Sequence, residues 1–532
     1  MTETLIDAPT LRQRLLDGGE IALVDVREQG VYCQGHILLA VSIPLSRLEL
    51  VVRDLVPRAA ARVVLCDGAD GLARRAAEML ARAGYIEVSI LEGGVGAWAE
   101  AGFVLFDGFN VPSKLFGEYV EHRFAVPRIT IAALKARMEI GGDLVVVDSR
   151  PFDEFARVTI PHAANLPGAE LVYRLRDLAP DPETPVVVNC GGRTRAIIGC
   201  QSLINAGIPN PVVALENGTM GWHLAGFELE RGAKRRAGPV SDDALDWARR
   251  AAADVARRFK VPTISRNELE RLRADTGRTL CVLDVRDPQE YAAGHLPGSR
   301  PAPGGQLVQA TDIYVGTRNA RLVLVDDTEA RAMMTASWLV QMGWPEVSVL
   351  AGGIGTDGLE SGPHVTPCPE AEAVTIGAVP VSELEDMIAD GTAVVVDFAD
   401  SLAFRTGHIA GAWWAMRSRV EDALERLPQA ASYVVTADDD RLARLAAADM
   451  AVHAAVPVRV LEGGTAAWRA AGRPMATGHD NLAAEVEDLY YRPIDRDSGV
   501  EEAMRGYLDW EIALIDRLTE DGTLIFPDFA PD

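Results

Sequence analysis

An internal fourfold repeat constrains this chain more than any other feature. An apolar run ending in Asp recurs as IALVDVRE (Asp25), LVVVDSRP (Asp148), CVLDVRD (Asp284) and VVVDFAD (Asp397). A Gly-rich phrase follows each at a similar offset: LEGGVGAW from Leu91, LENGTMGW from Leu215, LAGGIGTD from Leu350 and LEGGTAAW from Leu461. Between them GHI or GHL occurs at His36, His295 and His408, and the second unit has Thr159 in that place. Landmarks that keep one rhythm at intervals of about 100–150 residues mark whole domains, not solenoid turns.

Within each unit, continuous apolar runs such as VVVNC and VVALE alternate with helical stretches such as TRAIIGCQSLINAG. Strands of this kind separated by helices predict an α/β fold, a parallel sheet with helices on both faces. The repeat divides the chain into domains at 1–108, 109–232, 233–366 and 367–477, with an acidic tail at 478–532. Connectors at 115–124 and 242–259 have helical period, the second placing Leu245, Ala252, Val255 and Phe259 on one face. In the tail Met504, Leu508, Ile512, Ile515 and Leu518 form an apolar stripe at helical spacing, which predicts a helix docked on a domain.

The 77 acidic residues against 52 basic ones give a net charge of −25, which argues against nucleic acid as the main partner. No apolar run approaches the roughly 20 residues needed to span a bilayer. The opening MTETLIDAPT lacks the basic and apolar regions of a signal peptide. The six cysteines are scattered without CxxC or zinc spacing, and no histidine pair has ligand spacing. These features predict a cytoplasmic protein with free thiols and no metal.

The chemistry concentrates after the fourth apolar strand, where open α/β sheets place their sites. In the second unit this stretch reads Cys190-Gly191-Gly192-Arg193-Thr194-Arg195 and then turns into a helix. A helix N-terminus, two arginines and flexible glycines all favour a thiolate, so Cys190 is expected to be a nucleophile with a depressed pKa. The first unit has Cys66 in CDGADG, where Asp67 and Asp70 oppose a thiolate; it is at most a weak second site. The third and fourth units have Asp326 and Thr436 at the cysteine position and lack a thiol nucleophile there.

These phrases, taken in order, resemble the rhodanese domain, and the chain is similar to the multidomain rhodanese-related sulfurtransferases. The resemblance rests on the D-V-R strand end, the GHI segment, the Cys-x-x-x-x-Arg loop and the LEGG-x-x-x-W ending, and it covers nearly the whole chain. It implies four tandem rhodanese-like domains with one competent site. Cys190 would carry sulfur as a persulfide, taken from thiosulfate and passed to a thiol, cyanide or a protein acceptor, with no cofactor. Arg193, Arg195, Gly191, Gly192 and Thr194 would bind the donor, and Asp148 and Arg150 would support the strand end. Thr159 replaces the family histidine, and His162 stands where a glycine is expected.

Two alternatives share this fold: 3-mercaptopyruvate as donor, or a binding scaffold without catalysis. Phosphatase chemistry is disfavoured because it uses a loop one residue longer. The remaining thiols receive structural expectations: Cys200 in a helix core, Cys281 opening a strand, Cys33 before a GHI segment, and Cys368 exposed in TPCPE. Trp98, Trp222 and Trp468 are expected in the cores.

Overall fold

The computed structural model describes residues 4–529. Each repeat forms a five-stranded sheet in the spatial order first, fifth, fourth, second, third. In the second repeat these strands are Arg128–Ile129, Val212–Leu215, Val186–Asn189, Val145–Asp148 and Ala164–Asn165, all parallel. The central strand Val186–Asn189 is buried throughout, as its unbroken valine run requires when helices cover both faces. Leu134, Val146, Phe155, Ile160, Val187 and Trp222 form the core on one side.

The repeats pair in a nested fashion. One compact unit comprises the first and fourth, with Ala22–Phe109 and Thr366–Asp495 as its main segments. The other contains the second and third, with Asn110–Val365 joined by Arg14–Ile21 and the segment from Arg496 onward. The part of the tail that carries the terminal helix, from Arg496 onward, therefore belongs to the unit that carries Cys190.

Local sequence explains the recurrent landmarks. His36, His295 and His408 stack on Tyr32, Tyr291 and Phe404 at 3.8, 3.8 and 3.7 Å, with Nδ1 of each against the carbonyl four residues earlier. They are packing residues. Thr159 instead donates from Oγ1 to Asp148 Oδ2 at 2.7 Å, so the second repeat uses this position to brace its strand-end carboxylate. His162 adopts φ 66°, the left-handed conformation that Gly298 and Gly411 supply in the third and fourth repeats. Trp98, Trp222 and Trp468 are buried, and each donates its indole N–H to a carbonyl six residues on, at 3.0 Å.

The connectors are the helices Val111–Phe124 and Asp242–Arg258, the latter capped by Ser241, whose Oγ accepts from Ala244 N. The terminal helix Val500–Asp521 packs against Val111–Phe124. Beyond it, Phe526 contacts the rings of Phe116 and Tyr119, both at 5.1 Å. Its buried side is not the predicted stripe. Met504 and Leu508 are buried, but the stripe continues through Glu511 and Leu514, and Ile512 is 43% exposed. A carboxylate has displaced an aliphatic residue from the seam. Cys368 also departs from expectation: it is 2% exposed, packed in the core of the fourth repeat. Cys33, Cys200 and Cys281 are buried and form no disulfide. Among the described residues, no helix is long and apolar enough to cross a membrane, and no His/Cys/Asp/Glu group could hold a metal ion.

Candidate active site

The second repeat places Cys190 directly after the strand Val186–Asn189 and four residues before the helix Thr194–Asn205. The Cys190 carbonyl accepts from Thr219 N at 2.8 Å and Thr219 Oγ1 at 3.0 Å, and Gly191 O accepts from Met220 N at 3.0 Å. The LENGTMGW phrase thus forms the floor of the loop. Its Gly218 sits at φ 53°, and a Cβ there would stand 2.4 Å from the Cys190 carbonyl oxygen. Only glycine permits that approach.

Beneath the loop, Asp148 accepts from Arg150 N, Nε and Nη2 at 3.1, 2.9 and 2.7 Å, and from Asn189 Nδ2 at 2.9 Å. This network is buried and joins the ends of two neighbouring strands. Asp148 and Arg150 therefore organise the platform under the thiol.

The two loop arginines are engaged by carboxylates. Arg193 donates from Nε and Nη2 to Glu118 at 2.8 and 2.7 Å, and also to Glu121; both partners lie on the connector helix. Arg195 forms a bidentate pair with Glu154 at 3.0 and 2.8 Å, and its Nη1 reaches Gln306 of the third repeat at 3.2 Å. The contact has a counterpart: Arg331, in the same place in the third repeat, donates to Glu290 at 2.8 Å and to Glu170 of the second at 2.7 Å. The second and third repeats thus exchange equivalent arginine contacts.

This pairing changes the electrostatics expected of the thiol. Burial pushes Cys190 above its ordinary value; the Arg195 charge and the Ala196 backbone N–H pull it down, while Glu511 and Asp148 add to the rise. The expected depressed pKa is therefore not met: burial outweighs the help of the cationic loop, and acids from other segments add to the rise. Two residues that sequence reasoning missed complete the surroundings. Glu511 Oε1 on the terminal helix accepts from Thr194 Oγ1 at 2.5 Å, and Lys114 Nζ lies 3.9 Å from the same oxygen.

The family description of the rhodanese-like domain matches residues 7–101, 130–225, 265–355 and 380–471. The chain belongs to the rhodanese-like family. A solved thiosulfate sulfurtransferase from Pseudomonas aeruginosa is similar along the whole length, with 45% identity, a TM-score of 0.95, and coverage of 99% of this chain and 100% of that one. Thiosulfate sulfurtransferase GlpE of Pseudomonas paraeruginosa is 36% identical over 72 residues, 14% of this chain and 64% of its own. The HTH-type transcriptional regulator Rv0324 of Mycobacterium tuberculosis is 35% identical over 105 residues, 20% of this chain and 45% of its own. The chain thus spans about half to two thirds of the length of these two curated relatives.

Sheet register corrects how the four rhodanese-like loops correspond. Asp148 pairs with Asn189, Asp25 with Cys66, Asp284 with Val325 and Asp397 with Thr436. Cys66 and Thr436 therefore occupy the Asn189 position, the last of the strand. The residues that stand in place of Cys190 are Asp67, Asp326 and Ala437, and Asp67 O and Asp326 O accept from Val95 N and Ile354 N as Cys190 O does from Thr219 N. Five residues on, where Arg195 stands, the other loops have Leu72, Arg331 and Leu442. Cys66 lies in the strand, fully buried beside Asp25, and burial followed by that carboxylate drives its thiol well above the ordinary range.

Proposed function

We propose that the second domain is a thiosulfate sulfurtransferase with Cys190 as its nucleophile. The observation that carries this reading is the loop itself: of the four, it alone combines a thiol at its first position with an arginine five residues later. The Cys190 thiolate attacks the outer sulfur of thiosulfate, the S–S bond of the donor breaks, and sulfite leaves with the bonding pair. The persulfide keeps the negative charge within reach of Arg195 and of the Ala196 N–H, which already act on the thiol. A thiolate or cyanide then takes the outer sulfur and restores the Cys190 thiolate. The sulfur rides on the enzyme, so the cycle calls for no cofactor.

The full-length likeness to a thiosulfate sulfurtransferase supports thiosulfate over 3-mercaptopyruvate as donor. Arg195, Arg193, Thr194 and the backbone of Gly191 and Gly192 are proposed to hold the donor, Arg195 exchanging part of its contact with Glu154 for donor oxygens. Cys66 is assigned no part in transfer, since it stands at the Asn189 position, fully buried at the end of its strand. The first, third and fourth domains are read as non-catalytic. A small-molecule donor, and a thiol, cyanide or sulfur-accepting protein as acceptor, complete the scheme. A reducing, cytoplasmic setting would keep the six thiols free.

The test is thiosulfate:cyanide turnover by the full chain and by Cys190→Ser and Cys66→Ser. Activity should vanish in the first and persist in the second, and thiosulfate should add one sulfur atom to the peptide that contains Cys190. Loss only in Cys66→Ser would sink the assignment, and absence of turnover from the intact protein would favour a binding role.

A further inference from the structure

The terminal helix lies outside the rhodanese-like repeats, yet it closes over the middle of the Cys190 loop. A Cβ placed on Gly192 would meet Met220 Cε at 2.9 Å, Glu511 Oε2 at 3.2 Å and Tyr507 Cε1 at 3.4 Å. Glu511 is 1% exposed. Its Oε1 accepts from Thr194 Oγ1, but its Oε2, turned toward Gly192, has no hydrogen-bond partner among the described residues. A buried carboxylate oxygen left without a donor is costly, so its retention at the mouth of a reactive loop points to a ligand that supplies the donor.

The charges around the thiol point the same way. Arg150, Arg193 and Arg195 are paired with Asp148, with Glu118 and Glu121, and with Glu154. The remaining cation, Lys114, donates to Gln309 Oε1 at 3.1 Å and stands 3.9 Å from Glu511. Glu121 also meets Arg128 at 3.2 Å, so these arginines and their acids are matched, and among these groups it is Glu511, with Lys114 no nearer than 3.9 Å, that favours positive charge in whatever enters next.

We propose that Glu511 is a specificity-determining residue of the Cys190 site, selecting sulfur acceptors that carry an ammonium or other N–H donor beside the thiol and turning away those with a second anionic group. This rests on Cys190 as the residue that carries the sulfur. An aminothiol would place its ammonium on Oε2 while its thiolate attacks the outer sulfur of the persulfide. A mercaptocarboxylate of similar size would bring a carboxylate against Glu511 instead. The same charge opposes the dianionic donor, so Glu511→Gln should lower the KM for thiosulfate as it erodes acceptor selectivity.

The experiment reads the preference without requiring turnover. Cys190 is modified in the full-length protein by 2-aminoethyl methanethiosulfonate and by 2-sulfonatoethyl methanethiosulfonate. In each case the thiolate attacks the sulfenyl sulfur, methanesulfinate leaves, and a mixed disulfide forms. The ratio of the two rates, followed by mass on the Cys190 peptide, should exceed that of the urea-unfolded chain by about tenfold. Glu511→Gln should bring it down at least about threefold. Glu511→Asp, which keeps the charge but withdraws it by one methylene, should fall between and serves alone if the glutamine variant does not fold. A wild-type ratio equal to that of the unfolded chain, or one unmoved by these substitutions, overturns the proposal. Failure of thiosulfate to load sulfur on Cys190 would overturn the transferase reading instead, while leaving the probe ratio meaningful.

Discussion

Arg195 holds Glu154 through both terminal nitrogens, at 3.0 and 2.8 Å, so the cation nearest in role to the reacting sulfur is already committed to a carboxylate in the resting protein. The pair is buried enough to fix the guanidinium plane, with side-chain exposures of 14% and 23%. A planar fork can rotate one N–H pair toward an incoming sulfonate while keeping the other on Glu154; an ammonium offers no such division. Arg195→Lys is therefore expected to raise the KM for thiosulfate about tenfold, the equivalent of roughly 1.4 kcal/mol, with a smaller fall in kcat. Steady-state kinetics at fixed cyanide check this, and an unchanged KM would assign Arg195 to packing alone.

Thiol reactivity against pH separates the two strand-end cysteines. Burial raises both, but Cys66 rises further because Asp25 and Asp67 add to it and Arg27 opposes them, whereas Arg195 and the Ala196 N–H oppose the rise at Cys190. Thiolate is the reacting form, and a higher pKa delays its appearance to higher pH. Iodoacetamide at pH 8 should label Cys190 several-fold faster than Cys66, because the larger rise at Cys66 leaves less of it as thiolate. Equal rates in the folded protein would show that these charges do not govern reactivity.

Gly218→Ala tests the loop floor. The substitution places a methyl group on a residue at φ 53° and within 2.4 Å of the Cys190 carbonyl oxygen. Left-handed backbone costs a non-glycine residue about 1 kcal/mol before any clash, so the loop must move. Turnover should fall by about tenfold or more, with a drop in melting temperature of a few degrees. The equivalent change at Gly464, where the nearest oxygen is Ala437 O at 3.0 Å, should cost stability and leave turnover intact.

How much of this was legible in the sequence depended on whether the geometry was local. Asp148 and Gly218 recur in short phrases because each is tied to a strand end or a turn within its own repeat, and Cys190 is exposed by its place at the end of the repeat's fourth strand. Glu154 could have been found: it lies four residues after Arg150, and the third repeat has Glu290 in the same relation to Arg286. Glu118, Lys114 and Glu511 could not, because they reach the loop from a connector and a tail whose docking no local pattern encodes. Cys66 was misplaced for a simple reason. Counting by cysteines aligns it with Cys190, whereas its pairing with Asp25 puts it one residue earlier, at the fully buried last position of the strand.

A last prediction concerns stability in the unit formed by the first and fourth repeats. Glu28 is 5% exposed and accepts from Ser46 Oγ at 3.0 Å and from Ser418 Oγ at 2.6 Å. Burial pushes its carboxyl up to about 7 from an ordinary 4.5; the two serine donors oppose the rise and Asp488 adds to it. Because the folded value exceeds the unfolded one, the native protein holds a proton between about pH 4.5 and 7 that the unfolded chain has released. The associated stability is present below the unfolded value and is lost as pH rises through 7. Glu28→Gln fixes the neutral, hydrogen-bonding form at every pH. Its stability relative to wild type should therefore increase from pH 4.5 to pH 8, by up to about 3 kcal/mol at roughly 1.4 kcal/mol per pKa unit. Urea unfolding of both proteins at the two pH values, read at the transition of this unit, measures the change. A difference between variant and wild type that stays constant with pH would mean that Glu28 is ionised in the folded state, with the two serines stabilising a carboxylate instead of a carboxylic acid.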